Sequence, residues 1–379
     1  MGATGENMPV VLPSFTTMTG IDVDLQSVPW TGAHEKLLTG FAGASLPDVM
    51  MLNTGWLPEL TLLDALALPP PALLADQLPG AVAAVTLDGT ARAVPWTADS
   101  WAQFYRRDLV AQVGYAAPPT NWAEWTRMAK AIVQRHPTRF ATLHLLDWPE
   151  PLFAYATATG EELLRDHATR GNFRSAAFRA ALAFYRQVFD LGLSPKVTGS
   201  EVGDTYIGLN RGLFAILPSD TVFLGDARRP EHRIAPGSWG TVATPGPRGP
   251  ATALARGTCL AVNRATRNPV AAWQLVKFLS GALLQRRNYA ITGSLPTRPS
   301  AWSGLPRDPV TDLFARQIAG SIAPPPVPEW ERIMTEVQLV AEHMVHGDFG
   351  VDSAAAEMDM RIDRILAKRR SLLDRGRVI

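Results

Sequence analysis

The chain of 379 residues has one cysteine, Cys259, so no disulfide can form within it. No run of 18 apolar residues occurs, which is the length that a membrane-spanning helix needs. Its charges nearly cancel, with 36 Lys and Arg against 35 Asp and Glu, so nothing attracts the chain to nucleic acid. These absences argue against a disulfide-stabilised scaffold, against a helical membrane span and against binding to nucleic acid through excess positive charge.

The common catalytic motifs are also missing. Neither of the glycine-rich phosphate motifs is present. His34-Glu35 begins a zinc-protease pattern, but Leu38 stands where the second histidine should be. Residues 43–47 (GASLP) resemble the Gly-x-Ser-x-Gly pattern of a nucleophile elbow, but proline occupies the position of the second glycine. We therefore expect no enzyme, no cofactor and no metal. A glycosidase remains an open alternative, because its two carboxylates pair in space and Asp99 and Glu150 are candidates.

What is present is an alternation of strand and helix patterns over a length that exceeds a single core. Residues 23–28 and 49–52 are expected strands, and residues 57–66 are an expected helix. Asn121 is expected to cap a helix whose apolar face repeats at helical spacing. The pattern predicts two α/β lobes.

Residues 28–60 are the most informative block. Apolar side chains at helical spacing come first, and Pro47-Asp48 then introduces the apolar run 49–52, typical of a strand covered on both sides. Asn53 and Trp56 follow the carboxyl end of that strand, where ligands bind in α/β sheets. The block resembles the family of extracellular solute-binding proteins that feed sugars to ABC importers.

The order of elements is similar to that family along nearly the whole chain. The resemblance implies a two-lobed periplasmic-binding-protein fold of type II-like architecture, each lobe a sheet flanked by helices, with a hinged cleft between them. Crossings are expected near 101–105, 247–253 and 302–309. The expected lobes are residues 1–102 with 253–303, and residues 103–252 with 304–379.

Residues 95–101 (PWTADSW) resemble the family strand that enters the first hinge. The resemblance implies that Asp99 binds sugar hydroxyls, since a carboxylate accepts several charge-assisted hydrogen bonds. Trp96 either stacks on the sugar or packs between the lobes. Thr97 replaces an aromatic residue that is usual in the family.

Residues 146–153 (LDWPEPLF) resemble the second-lobe loop of the family. Glu150 is the expected carboxylate ligand there, with Trp148 beside it. Alternatively, Glu150 is an acid in the first turn of a helix, stabilised by the helix dipole.

Several further residues complete the expected ligand site. Trp30, Asn53 and Trp56 belong to the first lobe. For Asn53 the alternative is a turn residue that satisfies its own backbone, and for Trp56 it is packing under a helix. The resemblance adds Arg256, Gly257 and Trp330, and for Arg256 the alternative is a salt bridge at the hinge.

Residues 216–222 (ILPSDTV) replace the family's "Ser-Gly-Pro-Trp" segment and lack its tryptophan. The loss of one aromatic platform favours a compact sugar, such as a disaccharide of glucose, over a long oligosaccharide.

The resemblance implies that the chain is the substrate-binding component of an ABC importer, closing its hinge on maltose, trehalose or a similar disaccharide. Its partners would be the sugar and the membrane permease subunits, with no nucleic acid, and the protein would act as a monomer. It would be periplasmic, or lipid-anchored at the cell surface, with its signal peptide outside this sequence. A binding protein for a polyol, phosphodiester or peptide is the other alternative.

Overall fold

The computed structural model describes residues 2–232, 234–235, 237–251 and 254–375. The chain forms two compact units. The first comprises Met1–Asp99 and Ala255–Pro306, and the second comprises Ser100–Leu254 and Arg307–Ile379. Within the described residues, no helix is both long enough and apolar enough to cross a membrane.

The helices, in chain order, are α1 (Gly2–Thr19), α2 (Trp30–Ala42), α3 (Leu57–Leu62), α4 (Pro79–Ala84), α5 (Arg107–Ala111), α6 (Trp122–Arg135), α7 (Glu150–Thr157), α8 (Ala176–Asp190), α9 (Thr205–Arg211), α10 (Phe223–Asp226), α11 (Pro269–Leu279), α12 (Ala282–Thr292), α13 (Pro299–Trp302), α14 (Pro309–Ala319), α15 (Trp330–His346), α16 (Val351–Ile365) and α17 (Ala367–Asp374).

The strands, in chain order, are β1 (Val49–Asn53), β2 (Leu66–Ala67), β3 (Thr86–Leu87), β4 (Thr90–Ala91), β5 (Val94–Asp99), β6 (Ala102–Arg106), β7 (Phe140–Thr142), β8 (Leu164–Arg165), β9 (Arg170–Gly171), β10 (Phe214–Ser219), β11 (Trp239–Ala243), β12 (Arg256–Asn263) and β13 (Leu295–Pro296).

The sheet of the first unit has the order β1-β12-β5-β13, and β2 also pairs with β12. These pairings are antiparallel. Asn53 of β1 lies opposite Thr258 of β12, which in turn lies opposite Thr97 of β5. The carboxyl ends of β1 and β5 therefore lie at the same edge of the sheet as the start of β12.

Hydrophobic side chains cover this first sheet on both faces. On one face, Leu260 and Val262 of β12 pack with α1 and α11. On the other face, Cys259 and Ala261 pack with α2 and α3. The run 49–52 divides in the same way, because Met50 and Leu52 join the second cluster while its alternate residues pack against the first. The expected strand covered on both sides is confirmed.

The sheet of the second unit has the order β11-β6-β10-β7. Strand β6 is antiparallel to β11 and β10, whereas β10 and β7 are parallel. One large core packs α6, α7, α8, α15 and α16 against this sheet. Phe104 of β6 belongs to a separate aromatic group, in which its ring stacks on that of Phe223 with centroids 3.9 Å apart.

The α/β class predicted from the alternation is confirmed, and so is the cap of α6. The side-chain Oδ1 of Asn121 accepts a hydrogen bond from the Glu124 backbone N–H at 3.0 Å. The Asn121 amide donates to the Glu124 carboxylate at 2.8 Å. These two bonds satisfy backbone and side chain at the helix start.

Two element predictions are wrong. Residues 23–28 form no strand, although Val23 packs against the first-unit core. Alternation reports one-sided burial, whereas a strand also needs a partner for its backbone groups, and no described strand pairs with this segment. The helix predicted over 57–66 ends at Leu62, because residues 66–67 pair with β12 instead.

Candidate functional site

The carboxyl end of β1 turns at once into a short 3-10 helix, Thr54–Trp56. The Asn53 side-chain carbonyl accepts a hydrogen bond from the Gly55 backbone N–H at 2.9 Å. Asn53 therefore acts as the cap of this turn. Its side-chain NH2 still carries two donors for another group, so the capping role is compatible with ligand binding.

Trp56, the last residue of that turn, is 4% exposed and packs in the first-unit core. Its ring lies against Trp30, with centroids 5.2 Å apart, and against His34, with centroids 5.1 Å apart. Trp30 keeps 37% of its surface exposed. Of the two tryptophans, Trp30 is therefore the one that solvent can reach, and the buried Trp56 ring packs against it.

The ends of β5 and β12 bring the charged residues of the first unit together. Asp99 is the last residue of β5, and Arg256, the first residue of β12, lies directly opposite it. Residues in this relation have their Cβ atoms about 4.5–5.5 Å apart. An acidic and a basic residue thus occupy paired positions at the sheet edge that also carries Asn53.

Two hydroxyl groups lie in the same sheet near this pair. The Thr97 and Thr258 hydroxyl oxygens are 2.8 Å apart, and the Thr258 backbone N–H donates to the Thr97 hydroxyl at 3.1 Å. The next residue, Cys259, is fully buried, and burial raises the pKa of its thiol. A thiol that stays protonated is a poor nucleophile, so this cysteine serves packing.

Gly257 stands between Arg256 and this threonine pair for a steric reason. A Cβ atom at Gly257 would lie 2.2 Å from the backbone oxygen of Thr97. Such a contact is far inside van der Waals distance, so β12 can approach β5 here only because residue 257 has no side chain. A direct contact of Gly257 with a ligand stays a prediction.

Trp96 and Trp330 lie in the cores of their own units, each 3% exposed. The Trp96 indole N–H donates to the backbone oxygen of Leu279 at 3.0 Å. Trp330 begins α15 and packs against Phe153, with ring centroids 5.4 Å apart. Core packing accounts for both tryptophans, and their contact with a ligand stays a prediction.

In the second unit, Trp148 and Glu150 follow β7 at the start of α7. Trp148 is half-buried and meets Trp101 edge to face, with ring centroids 5.6 Å apart. Glu150 is the first residue of α7, and the seven that follow it are buried. The carboxylate is therefore the polar end of a buried helix, where the helix dipole favours negative charge. The structure is thus compatible with both readings of Glu150.

The segment without the family's tryptophan is filled by another aromatic residue. Phe223 is fully buried and stacks on Phe104. It also packs against Tyr206, with ring centroids 5.6 Å apart. Burial, together with the nearby Asp226, raises the pKa of Tyr206. Phe223 thus belongs to the core of the second unit rather than offering an exposed platform.

Sequence reasoning missed His34, Glu59 and Trp101 as neighbours of the candidate residues. His34 lies one helical turn after Trp30, so the i, i+4 spacing would have pointed to it. Glu59 reaches His34 from α3 with a 2.8 Å contact, and only the packed structure shows this.

Three comparisons place the chain among known proteins. Residues 8–282 match the family described as bacterial extracellular solute-binding protein. The structure of the sugar-binding protein MalE from the phytopathogen Xanthomonas citri is 38% identical, with a TM-score of 0.89, over 99% of this chain and 98% of that chain. The GacH receptor of Streptomyces glaucescens GLA.O is 22% identical, with a TM-score of 0.87, over 97% and 96%.

A probable ABC transporter-binding protein of Deinococcus radiodurans is 27% identical over 275 residues, which is 68% of this chain and 63% of that protein. At 22% identity, the likeness to the GacH receptor shows the fold alone. Together with the MalE structure it confirms the expected fold class, a two-lobed α/β binding-protein fold.

Proposed function

The chain belongs to the family of bacterial extracellular solute-binding proteins, and from that premise we propose that it is the substrate-binding component of an ABC importer for a carbohydrate. The ligand we propose is a glucose-type disaccharide such as maltose or trehalose. Proteins of this kind bind their solute and do no chemistry on it. The observation that carries the proposal is the 38% identity to the sugar-binding protein MalE over 99% of the chain.

The residues of the first unit have the chemistry that a sugar needs. A pyranose presents a ring of hydroxyls and an apolar C–H face, so its site combines hydrogen-bonding groups with flat aromatic surfaces. Asp99 and Arg256 stand opposite each other at the sheet edge that carries Asn53. Trp30 supplies an exposed ring. We propose that these side chains hold the sugar.

The second unit supplies Glu150 and Trp148 in the same proposal. The Glu150 carboxylate would accept hydrogen bonds from further hydroxyls, and the half-buried Trp148 would lie beside it. A ligand that contacted residues of both units would favour a closed state that holds it. The permease subunits of the importer would recognise that state, at the outer face of the membrane.

Isothermal titration with maltose, trehalose, sucrose and raffinose tests the proposal. We expect saturable binding of at least one glucose-containing disaccharide, with raffinose weaker because the site suits a compact sugar. The absence of heat with the whole panel would contradict a sugar ligand and would direct the search to polyols, phosphodiesters and peptides. Release of monosaccharide from a bound disaccharide would instead identify an enzyme.

A further inference from the structure

Two side chains on one face of α2 cover the buried Trp56. Trp30 and His34 are four residues apart, so they are neighbours on the helix surface. The imidazole of His34 is stacked on the Trp56 ring, with centroids 5.1 Å apart and an angle of 20° between the planes. Trp30 lies against the same ring at 5.2 Å and 30°. The two rings therefore share one aromatic support.

A carboxylate fixes the protonation pattern of the His34 ring. Glu59 Oε2 lies 2.8 Å from His34 Nε2. A carboxylate only accepts hydrogen bonds, so Nε2 carries the proton in this contact. In the neutral ring, Nδ1 is then an acceptor. Among the described residues, no hydrogen bond to Nδ1 is formed, so this acceptor is available to a ligand.

Stability alone gives little reason for this pairing. The side chains of His34 and Glu59 are 26% and 31% exposed. A hydrogen bond with this much solvent contact contributes little to stability, because water competes for both partners. Holding the imidazole in one orientation and one tautomer is the larger consequence.

We propose that Trp30 and His34 act together as one recognition element of the sugar site, an inference that rests on the proposed function. The exposed Trp30 ring takes the apolar face of one pyranose unit. His34 Nδ1 accepts a hydrogen bond from a hydroxyl of that unit, and Glu59 positions the imidazole by holding Nε2–H. His34 is thus a specificity-determining residue, because it selects sugars with a hydroxyl at that position.

Two substitutions separate ligand contact from structural support. In His34→Asn, the amide oxygen can stand near the position of Nδ1, but the side chain is too short to reach Glu59. In His34→Gln, the amide nitrogen can stand near Nε2 and keep the bond to Glu59, but no acceptor remains at Nδ1. We expect His34→Gln to weaken binding of the tightest disaccharide in the panel by about threefold to tenfold, the loss of one neutral hydrogen bond. His34→Asn should keep more of the affinity.

Monodeoxy analogues of that disaccharide identify the hydroxyl. The wild type should bind one analogue about threefold to tenfold more weakly than the parent sugar, and His34→Gln should bind the two equally. The exposed control Glu35→Ala should bind like the wild type. Melting temperatures of all variants report their structural integrity.

The outcomes are distinct. If the wild type binds a disaccharide but His34→Gln binds every analogue with unchanged affinity, the inference is overturned and the proposed function stands. It is also overturned if His34→Gln lowers all affinities by one common factor, or if His34→Asn is the weaker binder, since either result marks a structural support. If the wild type binds no sugar, the proposed function fails and the inference fails with it.

Discussion

Arg256, the first residue of β12, lies directly opposite Asp99, the last residue of β5. The pair stands at the edge of the first-unit sheet where Asn53 ends β1. A carboxylate accepts charge-assisted hydrogen bonds, which suits it to sugar hydroxyls. The arrangement makes Asp99 the first residue to test in this unit.

Replacing Asp99 with Ala should weaken binding of the disaccharide by roughly tenfold to a hundredfold. A hydrogen bond to a charged group contributes about 1.5–3 kcal/mol, and that contact is lost. Isothermal titration against the wild type measures the change in Kd. Asp24→Ala, which removes an exposed carboxylate of the same unit, should leave Kd unchanged. Equal affinities for Asp99→Ala and the wild type would remove Asp99 from the site.

Glu150 offers the corresponding test in the second unit. Glu150→Gln keeps the shape of the side chain at the start of α7 but removes its charge, so sugar affinity should fall about tenfold. The melting temperature should change little, because a charge at a helix end contributes only about 0.3–1 kcal/mol. Glu161→Gln, at an exposed position, is the control. A lower melting temperature with unchanged affinity would assign Glu150 to the helix dipole alone.

The sequence predicts some features of this fold better than others, for physical reasons. The run 49–52 is apolar throughout, and its alternate residues do pack on opposite faces of the sheet. Residues 23–28 alternate in part, but no strand among the described residues pairs with them, and pairing depends on the rest of the chain. Local periodicity therefore predicts neither burial nor hydrogen bonding where the segment lacks a partner strand, as the 37% exposure of Leu25 shows.

In the candidate site, too, the sequence predicts some features and not others. Position after a buried strand predicts the place of Asn53 at the end of β1, whereas only the strand pairing shows that Asp99 and Arg256 lie at the same sheet edge. Composition alone could not tell which of the eleven tryptophans are accessible. Trp30 is 37% exposed and Trp330 is 3% exposed, a difference that arises from packing between segments distant in sequence.

Gly257→Ala should destabilise the first unit. The added Cβ would lie 2.2 Å from the Thr97 backbone oxygen, so β12 and β5 must separate locally, at a cost of about 1–3 kcal/mol for such overpacking. Urea unfolding measures the loss. Gly32→Ala is a control of opposite sign in the same unit, because a Cβ there meets nothing within 4 Å and Ala favours the helix by up to about 1 kcal/mol. Equal stability of Gly257→Ala and the wild type would contradict the close approach.

His144 should make the second unit sensitive to acid. It is fully buried, with Nε2 2.7 Å from the Tyr155 hydroxyl and Nδ1 3.2 Å from the Thr142 hydroxyl. Burial lowers the pKa of His144 to about 3, whereas an exposed histidine has a pKa of about 6.5. Below about pH 6.5, His144 is therefore protonated in the unfolded chain but stays neutral in the folded chain.

The unfolded state thus binds more protons between about pH 6.5 and pH 3, so the free energy of unfolding must fall as the pH falls through this window. This histidine alone contributes about 1.4 kcal/mol per pH unit, and its effect vanishes above about pH 6.5. Urea unfolding at pH 7, 6, 5 and 4 measures the slope.

His144→Gln removes the titrating ring but keeps an amide that can bond to Tyr155. It should be less stable than the wild type at pH 7 and have a shallower slope, whereas the exposed His346→Gln should keep the wild-type slope. Parallel slopes for His144→Gln and the wild type would mean that the folded protein protonates this ring, and that the acid sensitivity has another source.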